Sequence, residues 1–284
     1  MAFGWAQGLK LACGLVFAVV IAGAIAPAKG EVKISRMGDH YGIDLSGRIN
    51  EQMKEEFLKV VSDPRINGKE FVGVRLSSQG GSIIVAMAIG EIIRTASFHT
   101  GVYPGSECSS ACVLLLAAGV TRTVTGKVGI HRPRFDEEEF GKLSYAQASE
   151  KYEQMAATMR QYLARMGMAD SLYFEMLKTQ ADTMRFLSAK DTLDFNLEGE
   201  DPAWREWNRA RAIARSGREH YEMNQSYAAL VAACANTTGR SVERCVEEIR
   251  SVFERRVNSC AERPGNDIIT CAKDIERQMM AKYR

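Results

Sequence analysis

Between residues 41 and 130 the chain alternates β-rich runs with apolar helical ones, and this alternation limits the possible folds more than any other feature. Residues 41–49 (YGIDLSGRI) read as a strand and 51–61 as a helix. Residues 71–77 (FVGVRLS) form a second strand and 83–94 a second helix. A strand-like run follows at 98–103, then an apolar helix at 111–118 that stops at Gly119, then a β-rich run at 121–130. Strands joined by helical crossovers run parallel, so the reading is an α/β fold with a largely parallel sheet. The 83–94 and 111–118 helices are apolar on most faces, and both are expected to be buried. A long helix is expected at 144–165, and the acidic run 136–139 before it reads as a solvated loop.

At 284 residues the chain can hold one large domain and a smaller one. A net charge of +2 singles out neither nucleic acid nor an anionic membrane as a partner. Near the start, Lys10 precedes an uncharged stretch, 11–28, that ends in Ala26-Pro27-Ala28. A basic start, an apolar run and small residues at −3 and −1 make a secretory signal peptide, with cleavage after Ala28. The other reading is an uncleaved inner-membrane anchor through 11–28, for which the run is short of the roughly 20 residues that span a bilayer. The expected location is therefore periplasmic or otherwise exported, with membrane contact only if the segment stays.

Without residues 1–28 six cysteines remain: Cys108, Cys112, Cys234, Cys245, Cys260 and Cys271. An even number in an oxidising compartment points to disulfides. No Cys-x-x-Cys pair or nearby histidine offers a tetrahedral site, so no metal or cofactor is expected. Residues 201–220 are rich in charge and contain Trp204 and Trp207, which reads as a linker or connecting helix. Residues 221–284 read as helical and repeat internally: CANTTGRSVERCVEEI from Cys234 returns as CAERPGNDIITCAKDI from Cys260, 26 residues later. Cys245 and Cys260 lie near opposite ends of one expected helix, 242–261, about 22 Å apart at 1.5 Å per residue and beyond disulfide reach. Cys234 and Cys271 fall at opposite ends of the bundle. That leaves Cys234–Cys245 and Cys260–Cys271, each closing a short loop and contributing about 2–3 kcal/mol.

Three segments carry chemistry. In the first, 77–94, a strand runs into Gly80-Gly81 and Ser82 caps an apolar helix. Glycines at such a turn let backbone N–H groups approach a ligand oxygen, and a helix N-terminus favours negative charge. In the second, CSSACVLLLAAG from Cys108, a serine opens a buried helix and the N–H of Ala111 can serve the same oxyanion. In the third, KVGIHRP from Lys127, a histidine ends a β-rich run; histidine takes a serine proton near neutral pH. Each has a bland alternative: a tight turn, serines that cap a helix, a packed strand-end histidine.

In order and spacing the three together resemble the Clp protease proteolytic subunit family, within the Clp/crotonase fold. That family shows a strand, a Pro-Gly-Gly-Ser turn and a helix, then an Ala-Ser-Met-Gly-Ala-type nucleophile helix running to Ala-Gly, then a Met-Ile-His-Gln-Pro base segment. Gln79-Gly80-Gly81-Ser82, Ser109-Ser110-Ala111-Cys112 with Ala118-Gly119, and Gly129-Ile130-His131-Arg132-Pro133 stand in those places. Counting back from Gly119 puts the family nucleophile on Ser110 and the base on His131, with oxyanion donors at the N–H groups of Gly81 and Ala111. The 144–165 helix matches the family's handle helix. FLSAKDTLDFNL from Phe186 resembles the family's closing motif, with Asn196 replacing a glycine; both tolerate the left-handed conformation that ends a helix.

The resemblance implies a repeated β-β-α core over 29–200, followed by a 201–220 linker and a small all-α, disulfide-stapled region at 221–284 that it does not cover. It also implies a serine-type endopeptidase acting on peptides or unfolded protein as a homo-oligomer, without nucleic acid. Family rings are fed by an ATP-driven unfoldase; an exported relative has no ATP supply and acts alone.

The pattern departs from the family at the third triad member. The family places its aspartate two residues before the phenylalanine of the closing motif, where this chain has Met184. Asp182, two residues earlier, is the candidate acid. Cys108 and Cys112 flank Ser110 symmetrically, either bonded across the nucleophile turn or as two small buried apolar residues. Two function classes follow: an exported, ATP-independent Clp-like serine peptidase, or a catalytically weak or inactive Clp-fold binding or scaffold protein of the cell envelope. A crotonase-like enzyme for acyl-coenzyme A thioesters would use related turns, but that ligand has no reason to be outside the cytoplasm.

Overall fold

A computed structural model describes residues 30–134, 141–261 and 267–283. The stretch read as a signal or anchor and the acidic run 136–139 lie outside these residues. The chain begins with an antiparallel hairpin, β1 (Glu31–Met37) and β2 (His40–Ser46), turned tightly at Gly38 with φ 62°. Helix α1 (Glu51–Val61) starts at Asn50, whose side chain accepts from the Met53 N–H at 3.0 Å, and buries Met53 and Phe57, one turn apart. Then come β3 (Gly73–Ser77), α2 (Ile83–Thr95), β4 (His99–Val102), β5 (Glu107–Ser109), α3 (Cys112–Ala118), β6 (Thr121–Val124) and β7 (Lys127–Ile130).

Among the described residues the strands form two sheets. The larger has the order β1-β2-β3-β4-β6-β9, with β9 at Gly199–Glu200, and is parallel from β2 through β6 with antiparallel strands at both edges. The smaller, β5-β7-β8 with β8 at Arg185–Phe186, pairs β5 parallel with β7 and β7 antiparallel with β8. The 121–130 run is thus two strands in two sheets. The chain switches between them at Gly126, where a Cβ would lie 2.3 Å from the Tyr103 carbonyl oxygen.

All seven residues of α3 are buried, as its all-round apolar sequence requires. Burial of a leucine side chain such as Leu114, Leu115 or Leu116 contributes about 2 kcal/mol. Helix α2 buries one face only and leaves Ile84 69% exposed. Helix α4 (Tyr145–Arg165) opens on a capping box between Ser144 and Gln147, and its buried Tyr162 hydroxyl donates to the Leu114 carbonyl at 2.9 Å. Helix α5 (Asp170–Lys178), β8 (Arg185–Phe186), α6 (Ala189–Asp194) and β9 (Gly199–Glu200) complete the α/β part.

Residues 202–216 form a regular helix, α7 (Pro202–Ser216), so the expected linker takes its connecting-helix form. Helices α8 (Arg218–Thr238), α9 (Val242–Ala261) and α10 (Ile268–Met280) then pack around a separate core that includes Leu230, Ile249, Phe253 and Ile275. Cys234 and Cys245 stand at disulfide distance, Cα–Cα 5.9 Å, as do Cys260 and Cys271 at 6.3 Å. Each copy of the repeat is therefore one stapled corner, a helix end tied to the start of the next helix.

Candidate active site

Two neighbouring serines open α3, and the structure gives them different roles. Ser109 is fully buried, and its hydroxyl donates to Glu107 Oε1 at 2.7 Å. Ser110 is part-exposed, with φ at 58°. Two other non-glycine residues among those described share positive φ, Ser97 and Asn196, and both lie just past a helix C-terminus, where that conformation is routine. Ser110 precedes its helix, so no C-terminal cap accounts for it. Its N–H donates to the Gly129 carbonyl at 2.9 Å and its own carbonyl accepts from Val113 at 3.1 Å. Neither serine caps the helix: the cap position is Ala111, which has no side-chain cap bond. A serine held in a sparsely populated conformation at the mouth of a buried helix is the kind of strain that collects at functional turns.

The Gly80-Gly81 turn sits directly against this serine. A Cβ on Gly80 (φ 102°) would stand 2.7 Å from Ser110 Cβ and 3.1 Å from the Ala111 nitrogen, so glycine alone permits the approach. Ile49 brackets the turn: its N–H donates to Gly80 O at 3.0 Å and its carbonyl accepts from Ser82 at 2.9 Å. Among the described residues no backbone bond takes the N–H of Gly81 or of Ala111. The two expected oxyanion donors thus flank the serine with their hydrogens uncommitted.

His131 follows β7, two residues beyond Gly129 and on the same face of the strand. The β5–β7 pairing, Ser109 opposite Gly129, brings the histidine segment alongside the serine turn. No hydrogen bond joins Ser110 Oγ to the imidazole; such bonds often close only with substrate bound. The ring is engaged elsewhere: His131 Nδ1 lies 2.8 Å from the Arg132 carbonyl oxygen.

No hydrogen bond or ion pair joins the acid expected at Asp182 to the histidine. Its carboxylate is exposed and among the described residues meets only the Thr183 hydroxyl, at 3.4 Å. The β7–β8 register gives the reason. Gly129 faces Phe186 and Ile130 faces Arg185, and the pairing stops there: the Arg132 N–H turns to the Thr179 carbonyl, so the segment that carries Met184 and Asp182 leaves the ladder before it reaches His131. The Met184 thioether leans along this face over Gly129, where a Cβ would lie 2.7 Å from the sulfur. Asp182 is two residues further from the ladder. Arg132 has a place in the base segment of the sequence but no role assigned to it there; the signal available was the Arg132-Pro133 step, since proline restricts the residue before it to extended conformations.

Cys108 and Cys112 are fully buried, with Cα–Cα 5.2 Å and sulfurs at bonding distance, so the serine turn is closed into a five-residue loop. Replacing both with alanine is expected to leave the α/β core folded and slow covalent labelling of Ser110 about tenfold, because a loosened turn misplaces the hydroxyl. Labelling kinetics beside a thermal melt check this, and an unchanged rate would remove the lock from the account.

The family model described as Clp protease matches residues 29–198. The chain belongs to the Clp protease family. Members of this family are serine peptidases that act on peptide substrates and typically oligomerise. The match spans the α/β part and stops short of α7, so the stapled helices lie beyond it. Comparison with curated proteins finds no match.

Proposed function

We propose that this Clp family chain is an exported, ATP-independent serine endopeptidase. Ser110 Oγ attacks the peptide carbonyl while His131 Nε2, the ring nitrogen turned away from Arg132, takes the hydroxyl proton. The N–H groups of Gly81 and Ala111 hold the oxyanion. His131 then gives its proton to the departing amine, and water releases the acyl group from Ser110 by the same route. The observation that carries this reading is the positive φ of Ser110 against Gly80, which has no structural role in ending a helix. Export draws support from the three cysteine pairs at disulfide distance, which suit an oxidising compartment.

A fluorophosphonate probe tests the reading. Labelling is expected on Ser110, abolished by Ser110→Ala and slowed by His131→Ala; a wild-type chain that is never labelled refutes it. One observation favours the second reading, a weak or inactive binder of the cell envelope: no carboxylate among the described residues bonds the His131 ring. That reading expects partner capture that needs residues 221–284 and is indifferent to Ser110→Ala.

A further inference from the structure

With Asp182 exposed and no carboxylate among the described residues bonded to the ring, His131 needs some other group to fix its tautomer. Resting on the reading of Ser110 and His131 as nucleophile and base, we infer that the backbone carbonyl of Arg132 is the positioning group that a carboxylate would otherwise be. A carbonyl oxygen only accepts. At 2.8 Å from Nδ1 it therefore places the neutral ring's proton on Nδ1 and leaves the Nε2 lone pair bare. That is the tautomer a general base for serine requires.

Such a carbonyl is useful only if it cannot swing, and three restraints hold it. The Arg132 N–H donates to the Thr179 carbonyl at 2.9 Å. Its Nε donates to the Leu177 carbonyl at 2.7 Å. Both acceptors lie at the C-terminal end of α5, where the last carbonyls of a helix lack partners within it. Pro133 confines Arg132 to extended conformations from the other side. The imidazole is thereby oriented from the end of α5, through one arginine that satisfies that end. The substitution is partial. A carbonyl fixes the proton and the ring plane but bears no net charge, so it stabilises the imidazolium less than an aspartate does.

The test reads the tautomer directly. In ¹⁵N-histidine-labelled protein above the imidazole titration, long-range ¹H–¹⁵N spectra, with His131 assigned by loss of its signals in His131→Gln, are expected to show Nδ1 protonated and Nε2 bare. Arg132→Ala removes the strut to Leu177; the tautomer is expected to shift toward Nε2–H and fluorophosphonate labelling of Ser110 to slow about tenfold. Arg132→Lys, which returns a donor toward Leu177, is expected to recover part of both. An Nε2–H tautomer in the wild-type spectrum overturns the inference without recourse to any variant. So does a folded Arg132→Ala chain with tautomer and labelling unchanged. A wild-type chain whose Ser110 is never labelled refutes instead the reading underneath, whatever the tautomer.

Discussion

Met184→Asp is expected to raise the rate of Ser110 labelling, and of peptide ester hydrolysis, by about 100-fold, short of the roughly 10⁴ that a serine protease triad loses with its acid. The position borders the β7–β8 ladder: Met184 precedes Arg185, the partner of Ile130, and its thioether leans over Gly129, two residues before His131. A carboxylate there would stabilise the imidazolium that forms as Ser110 gives up its proton. The gain falls short of the full factor because the Arg132 carbonyl already holds Nδ1, so the acid adds charge more than orientation. Its surroundings also limit it. The Met184 side chain packs over Gly129 next to the Ser109 hydroxyl, and that hydroxyl already serves Glu107, a second carboxylate on the same small sheet. The pH profile gives an independent sign. An anion beside an imidazole favours its protonated form and raises its pKa, so the base becomes free at higher pH and the acid limb of the rate profile should move up. A folded Met184→Asp chain with an unchanged rate and profile would mean that the missing acid is not what limits this site.

What the sequence made legible follows from where the signals were strong. Helices α1, α2 and α3 lie within a residue of the expected boundaries, because each has an apolar stripe or block with a clear start or stop: Asn50, Ser82, Gly119. The cysteine spacing and helix geometry singled out the pairs at 234/245 and 260/271, and those pairs stand at disulfide distance. Asn196 takes φ 60° past α6, as a residue standing in for glycine should. Strands β1 and β5 escaped notice for physical reasons. Glu31–Met37 is a sheet edge with no fully buried residue, so its alternation is shallow. Glu107–Ser109 is three residues long, too short for any period to register. The acid position was out of reach for a different reason. Which acid reaches His131 depends on where a two-residue strand ends, and so short a strand carries no period that a sequence can show.

The second large effect lies away from the serine, where the α/β part meets α7. Asp201→Asn is expected to lower stability by about 3–5 kcal/mol, the range for removing one partner from a buried ion pair. Arg94 Nη1 meets Asp201 Oδ2 at 3.1 Å, and the Asp201 side chain is nearly buried. Arg122, only 2% exposed, lies in the same pocket and donates to the Gly119 carbonyl at 2.9 Å, so two guanidinium groups gather at the C-terminal end of α3 around one carboxylate. Burial, with the like charge of Arg94 next, pulls the Arg122 pKa down to about 10, while Asp201 pushes it up. The unfolded chain therefore binds more protons than the folded one from about pH 10 up to the ordinary arginine value, and stability should rise with pH across that window. At neutral pH the cost of burying this charge is present in full, and Asp201 is what offsets it. Asparagine is the informative replacement because it keeps the helix cap: Asp201 Oδ1 accepts from Ala203 and Trp204 at 3.0 and 3.1 Å, which an amide oxygen can still do. Denaturant unfolding of Asp201→Asn should show a lower midpoint with an unchanged slope. A midpoint within error of wild type would mean that the two arginines are satisfied by the carbonyls of Ala117, Gly119 and Met166 alone. If the midpoint does fall, the same carboxylate that starts α7 also neutralises the charge packed behind α3, and it joins the Arg211–Glu70 pair in tying α7 to the α/β part.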